Sequence, residues 1–135
     1  MAVSAKFSDA EQYKILDEMN RVLADPKFNS CKRCVKLFRR LIEGTLDGDQ
    51  DCCKERMLGI DVFGRDANYD TNADPVVRMA ASEIRKRLAH FYQESDQEHP
   101  VTIRLIPGSY VPEFDFDSEY ATFWFQDPYS CGYST

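Results

Sequence analysis

The residues of this chain best equipped for covalent or metal chemistry are five cysteines and two histidines. Cys31 and Cys34 form a CxxC, and Cys52 and Cys53 are adjacent. A structural zinc site usually draws its four tetrahedral ligands from two separated pairs, and adjacent cysteines supply two such ligands poorly. The expectation is therefore reduced thiols that serve as small apolar residues, with no metal and no disulfide among these four. His90 precedes an apolar helical position, Phe91, and His99 falls in a polar stretch. Neither has a nucleophile or a metal-ligand partner at a usable spacing. The six glycines are too scattered to cradle a phosphate. No catalytic residue and no cofactor is expected, and the chain does not read as an enzyme.

The remaining chemistry is that of basic side chains. Arg78, Ser82, Arg85 and Lys86 recur on one side of an amphipathic stretch whose other side is Val77, Ala81, Ile84, Leu88 and Phe91. Guanidinium and ammonium groups so placed can meet phosphates, and arginine can read guanine in a major groove. Arg104, in a later alternating segment, points away from Val101, Ile103 and Leu105. Arg87 lies nearer the apolar stripe and reads as structural. Net charge opposes this chemistry: it is −6 overall. Much of that excess sits after Phe114, where four acidic residues have no basic counterpart.

Four helices and a hairpin must position these groups. Ser8 and Glu11 form a capping box that opens a helix with Ile15, Leu16, Met19, Val22 and Leu23 inward, and Asp25-Pro26 should end it. A second helix runs from about Ser30 to Leu46, with Cys34, Phe38, Leu41, Ile42 and Thr45 on its apolar stripe. A shorter one covers about Gln50 to Ile60, with Cys53, Met57 and Ile60 inward. A polar loop follows, and Asp74 with Pro75 should cap and begin a long helix that reaches about Glu94. Val101 to Leu105 and Tyr110 to Phe114 then form a hairpin about Pro107 and Gly108. No apolar run approaches the ~20 residues of a membrane span, and no secretory leader is evident, so a cytoplasmic location is expected.

Short helix, loop, long helix with a basic side, then hairpin is the order of a winged helix-turn-helix. The segments VRMAASEIRKRL (Val77 to Leu88) and TIRLIPGSYVPEF resemble the signature of OmpR/PhoB-type winged-helix domains. A closer resemblance is to a bacterial subgroup, often N-terminal in larger regulators, whose segment before the recognition helix is similar to KERMLGIDVFGRDANYDTNADPVVR. The resemblance covers about Phe28 to Phe114. It implies an α+β, mainly helical fold, with two extra N-terminal helices in place of the β-sheet of classical members. It also implies a transcription regulator bound to double-stranded DNA. Arg78, Ser82, Arg85, Lys86, Arg104 and Tyr110 are its candidate DNA-binding residues, with helix 75–94 in the major groove and wing 101–114 on the backbone. Loop 66–73 matches a segment that can contact RNA polymerase in the parent family. Ser82 and Glu83 occupy positions where the subgroup tends to carry Arg, and a carboxylate beside phosphates is repelled.

Three regions are expected: a helical pair (1–50), the winged helix-turn-helix (51–114) and an acidic, aromatic tail (115–135). The tail is expected either to pack back onto the domain or to dock a partner protein or a second copy of the chain. The alternative function is a winged helix that acts in protein–protein interaction without binding DNA.

Overall fold

A computed structural model describes residues 7–49 and 53–116. The fold is α+β and mainly helical: α1 (Asp9–Ala24), α2 (Pro26–Asn29), α3 (Lys32–Leu46), α4 (Glu55–Phe63), α5 (Val76–Glu94), then strands β1 (Val101–Arg104) and β2 (Glu113–Phe116). The strands pair antiparallel, with Val101 opposite Phe116 and Arg104 opposite Glu113.

The first turns follow local chemistry. Ser8 Oγ accepts the Glu11 amide at 3.1 Å and the Ser8 amide donates to Glu11 Oε1 at 3.0 Å, which closes the capping box. Asp25 ends α1 and caps α2, accepting from the Lys27 amide at 3.3 Å, with Pro26 at the first helical position. Phe28 on this single turn is fully buried and lies 5.0 Å, ring to ring, from Phe38 of α3. One core joins all the helices to the hairpin. It takes Ile15, Met19 and Val22 from α1, Cys34, Leu37, Phe38, Leu41 and Ile42 from α3, Leu58 from α4, Val77, Ala81, Ile84 and Leu88 from α5, and Val101 and Ile103 from β1. Helix α1 packs on β1, and α5 packs on α2, α3 and α4.

Several expected boundaries move. Helix α4 begins at Glu55 and runs on to Phe63, where Gly64 at φ 68° ends it. Nothing before Gly64 obliges the chain to leave the helix, and a left-handed residue there costs glycine little. With that phase Leu58 and Gly59 turn inward, and Met57 is exposed. Leu16 likewise faces out, and Glu18 takes an inward position on α1.

Asp74 does not cap α5. Its carboxylate is bound by Arg65 at 2.6 Å, and the helix starts at Val76 without a side-chain cap. The second strand starts at Glu113, not Tyr110. Pro112 has no N–H to offer a ladder, and Tyr110 turns toward α5 instead. Asp115 and Phe116, expected in the tail, belong to β2, and Phe7 packs against Phe114 and Phe116 at 5.4 and 6.5 Å. The remaining tail, 117–135, lies outside the described residues, as do Cys52 and Cys131.

Candidate nucleic-acid interface

Helix α5 buries Val76, Val77, Ala80, Ala81, Ile84 and Leu88. Its opposite face carries Met79, Ser82, Lys86, Ala89 and His90, all exposed. Nineteen residues at ~1.5 Å each give a rod of roughly 28 Å, and its outer face is covered by no other described element.

The candidate residues divide into three groups. Ser82 and Lys86 stand on the open face. Arg78, Arg85 and Tyr110 meet on the flank of α5, where with Glu55 and Gly108 they line a cleft of about 420 Å³. Arg104 stands apart, on the solvent side of β1.

Within the cleft the arginines already have partners. Arg78 pairs with Glu55 at 3.1 Å and donates to the Thr71 carbonyl at 2.5 Å. Arg85 Nε donates to the Leu105 carbonyl at 3.0 Å, and its terminal nitrogen reaches the Ile106 carbonyl at 3.5 Å. Those carbonyls follow β1, so Arg85 ties the entry of the hairpin loop to α5. Gly108, at φ 89°, then makes the turn that brings Tyr110 back. Burial, and secondarily the Glu55 carboxylate, push the Tyr110 phenol up, against the pull of Arg78 and Arg85. Tyr110 is thus a neutral hydroxyl at the lip of the cleft. Arg104 faces two carboxylates, Glu113 at 3.5 Å and Asp115 at 4.0 Å, both on β2.

Glu83 is not a bare carboxylate on the open face. It accepts from Arg87 Nε at 2.8 Å, and Arg87 also donates to the Lys27 carbonyl and to Ser30 Oγ. Arg87 therefore ties α5 to α2, the structural role its place beside the apolar stripe implies.

The loop between α4 and α5 is held by side chains that periodicity could not find. Arg56 donates to the carbonyls of Ala67 and Tyr69 at 3.2 and 2.6 Å, and its guanidinium lies 5.5 Å from the Tyr69 ring centroid. Arg65 closes onto Asp74, and Tyr69 packs over Gly59, where a β-carbon would stand 2.0 Å from the phenol oxygen. Asp66, Ala67, Asn68, Asp70, Asn72 and Ala73 remain exposed.

Away from α5, Cys31 and Cys34 are free thiols, and no group of metal-ligating side chains converges among the described residues. The histidine expected in a polar stretch is instead half-buried. His99 Nδ1 lies 2.8 Å from Glu18 Oε2, although without hydrogen-bonding alignment. Among the described residues no helix is long and apolar enough to cross a membrane. Comparison of the chain with protein-family models, with curated proteins and with solved structures found no match.

Proposed function

We propose that the chain is a DNA-binding transcription regulator of the OmpR/PhoB-like winged helix-turn-helix type. In this reading α4 and α5 form the helix-turn-helix, α5 lies in the major groove, and the hairpin with its loop is the wing on the backbone. The observation that carries the reading is the uncovered outer face of α5, with a hairpin anchored against the same helix by Arg85. An α-helix fits the ~12 Å major groove, and a rod held by one apolar stripe can offer its other side to base edges. Ser82 and Lys86 are placed to reach the groove. Arg78 and Arg85 flank it, and contact with phosphate would require Arg78 to leave Glu55. The ordered, outward-facing loop 66–73 is a suitable surface for RNA polymerase.

The second reading, a module that binds protein, has its own support. Arg104 is matched by two carboxylates, and Met79, 58% exposed, sits on the open face where a protein partner could cover it. Titration with random-sequence duplex DNA at two salt concentrations separates the two. Binding that weakens steeply with salt supports DNA as the ligand, and no binding at low salt supports the protein partner.

A further inference from the structure

The Cys31–Cys34 pair is a motif of the sequence that the DNA reading leaves unused. Cys31 is the N-cap of α3, and its Sγ accepts a hydrogen bond from the Cys34 amide at 3.3 Å. Residues three apart over a helical turn have Cα atoms about 5 Å apart, within the roughly 4.4–6.8 Å that a disulfide spans. The two sulfurs differ in access. Cys31 is half-buried, whereas Cys34 is wholly buried on the core side of α3. Burial, then the hydrogen bond and charge of Cys31, push the Cys34 thiol up to about 12, against the pull of Arg87. The outer sulfur is thus held by a backbone N–H within reach of solvent, and the inner one stays protonated behind it.

The surroundings are cationic. Lys32 and Arg33, both exposed, separate the two cysteines, and the Arg87 guanidinium acts on both sulfurs. Glu83 is the carboxylate that acts on Cys34, and Arg87 holds it at 2.8 Å.

We propose that Cys31 and Cys34 are a dithiol site that exchanges with anionic, low-molecular-weight disulfides and closes to an internal disulfide. The Cys31 thiolate attacks one sulfur of RS–SR; a Cys31–S–SR bond forms, the S–S bond of the reagent breaks, and RS⁻ leaves and is protonated. Cys34 then gives up its proton, attacks Cys31 Sγ and expels the second RS⁻, which takes a proton. Two protein thiols lose two electrons and two protons, and RS–SR becomes two RSH. Disulfides of this kind in reducing compartments are usually transient and serve catalysis or sensing.

The test uses the full, reduced chain exposed to glutathione disulfide, then acid quench, alkylation and tryptic mass mapping. The expected product joins the peptides of Cys31 and Cys34, which trypsin otherwise parts at Lys32 and Arg33. Cys34→Ala should accumulate the glutathione adduct on Cys31. Glutathione disulfide should react about tenfold faster than the cationic disulfide cystamine at low ionic strength, and about 1 M salt should remove most of that gap. Wild-type mapping decides the matter even if the variant misfolds. An adduct that persists on wild-type Cys31 without closing, modification of Cys34 first, or equal rates with the two reagents would overturn the proposal.

Discussion

Tyr92 joins two ends of the molecule: its hydroxyl donates to Glu18 Oε2 at 2.7 Å and accepts the Ile103 amide at 3.0 Å. Glu18 and Tyr92 are 74 residues apart in sequence. One phenol thus bonds one oxygen of an inward carboxylate on α1 and a backbone N–H of β1, and it fixes the hairpin to both α1 and α5. The position of the hairpin, and with it the shape of the candidate interface, depends on that bridge.

Tyr92→Phe should therefore destabilise the fold by about 1–3 kcal/mol. It keeps the ring but leaves a buried carboxylate and an amide short of a partner. Urea denaturation measures the loss, and a Tyr92→Phe, Glu18→Gln double-mutant cycle should show coupling between the two sites. An unchanged midpoint would mean that solvent replaces the phenol at no cost.

The same residue governs the alkaline limb of stability. Burial pushes the Tyr92 phenol well above its ordinary value, and the Glu18 carboxylate adds to the effect. Below about pH 10 the phenol is neutral in both states and its contribution is intact. Above that pH the unfolded chain releases the proton while the folded chain keeps it, so stability falls as pH rises. Tyr92→Phe should flatten this fall in urea midpoints followed from about pH 9 to 11. Tyr69 and Tyr110, shifted in the same direction, should leave part of it in place.

Gly59→Ala should be destabilising although alanine favours helix by about 1 kcal/mol. The new methyl would meet the Tyr69 hydroxyl at 2.0 Å and two of its ring carbons at 2.5 and 2.8 Å, so the loop from α4 to α5 must shift. A net loss of about 1–3 kcal/mol is expected. Tyr69→Ala in the same chain should recover part of the overpacking cost, and a thermal melt reads both changes.

Asp25-Pro26 and Asp74-Pro75 show how much of the fold the sequence made legible. Asp25 and Pro26 end α1, as expected, and also cap and open α2, a turn not expected from the sequence. Asp74 and Pro75 are the same dipeptide, yet Asp74 is taken by Arg65 and α5 starts uncapped. Local motifs such as the Ser8–Glu11 box and the Ile84–Leu88 stripe could be read because their partners lie within a turn or two. Glu18, His99 and the arginine-held loop could not, since their partners come from distant segments. The candidate interface divides the same way. The open face of α5 follows from periodicity, but the pairing of Arg78 with Glu55 and of Arg85 with backbone carbonyls depends on tertiary structure.

Arg87→Ala should cost about 1–3 kcal/mol, because it frees Glu83 and removes the tie from α5 to α2. Arg87→Lys should restore little, since one ammonium cannot span Glu83, Ser30 and the Lys27 carbonyl as the guanidinium fork does. Chemical denaturation of the two variants side by side checks this, and full recovery by lysine would assign Arg87 a purely electrostatic role.

The most direct test of the central claim is the affinity of the chain for random-sequence duplex DNA, measured by fluorescence anisotropy at two salt concentrations, with Lys86→Glu alongside. Contact with about three phosphates predicts a log–log salt slope of roughly −3, and Lys86→Glu should weaken binding about tenfold or more without changing the thermal midpoint. No detectable binding at low salt, or an affinity indifferent to both salt and Lys86→Glu, would contradict the placement of α5 against DNA.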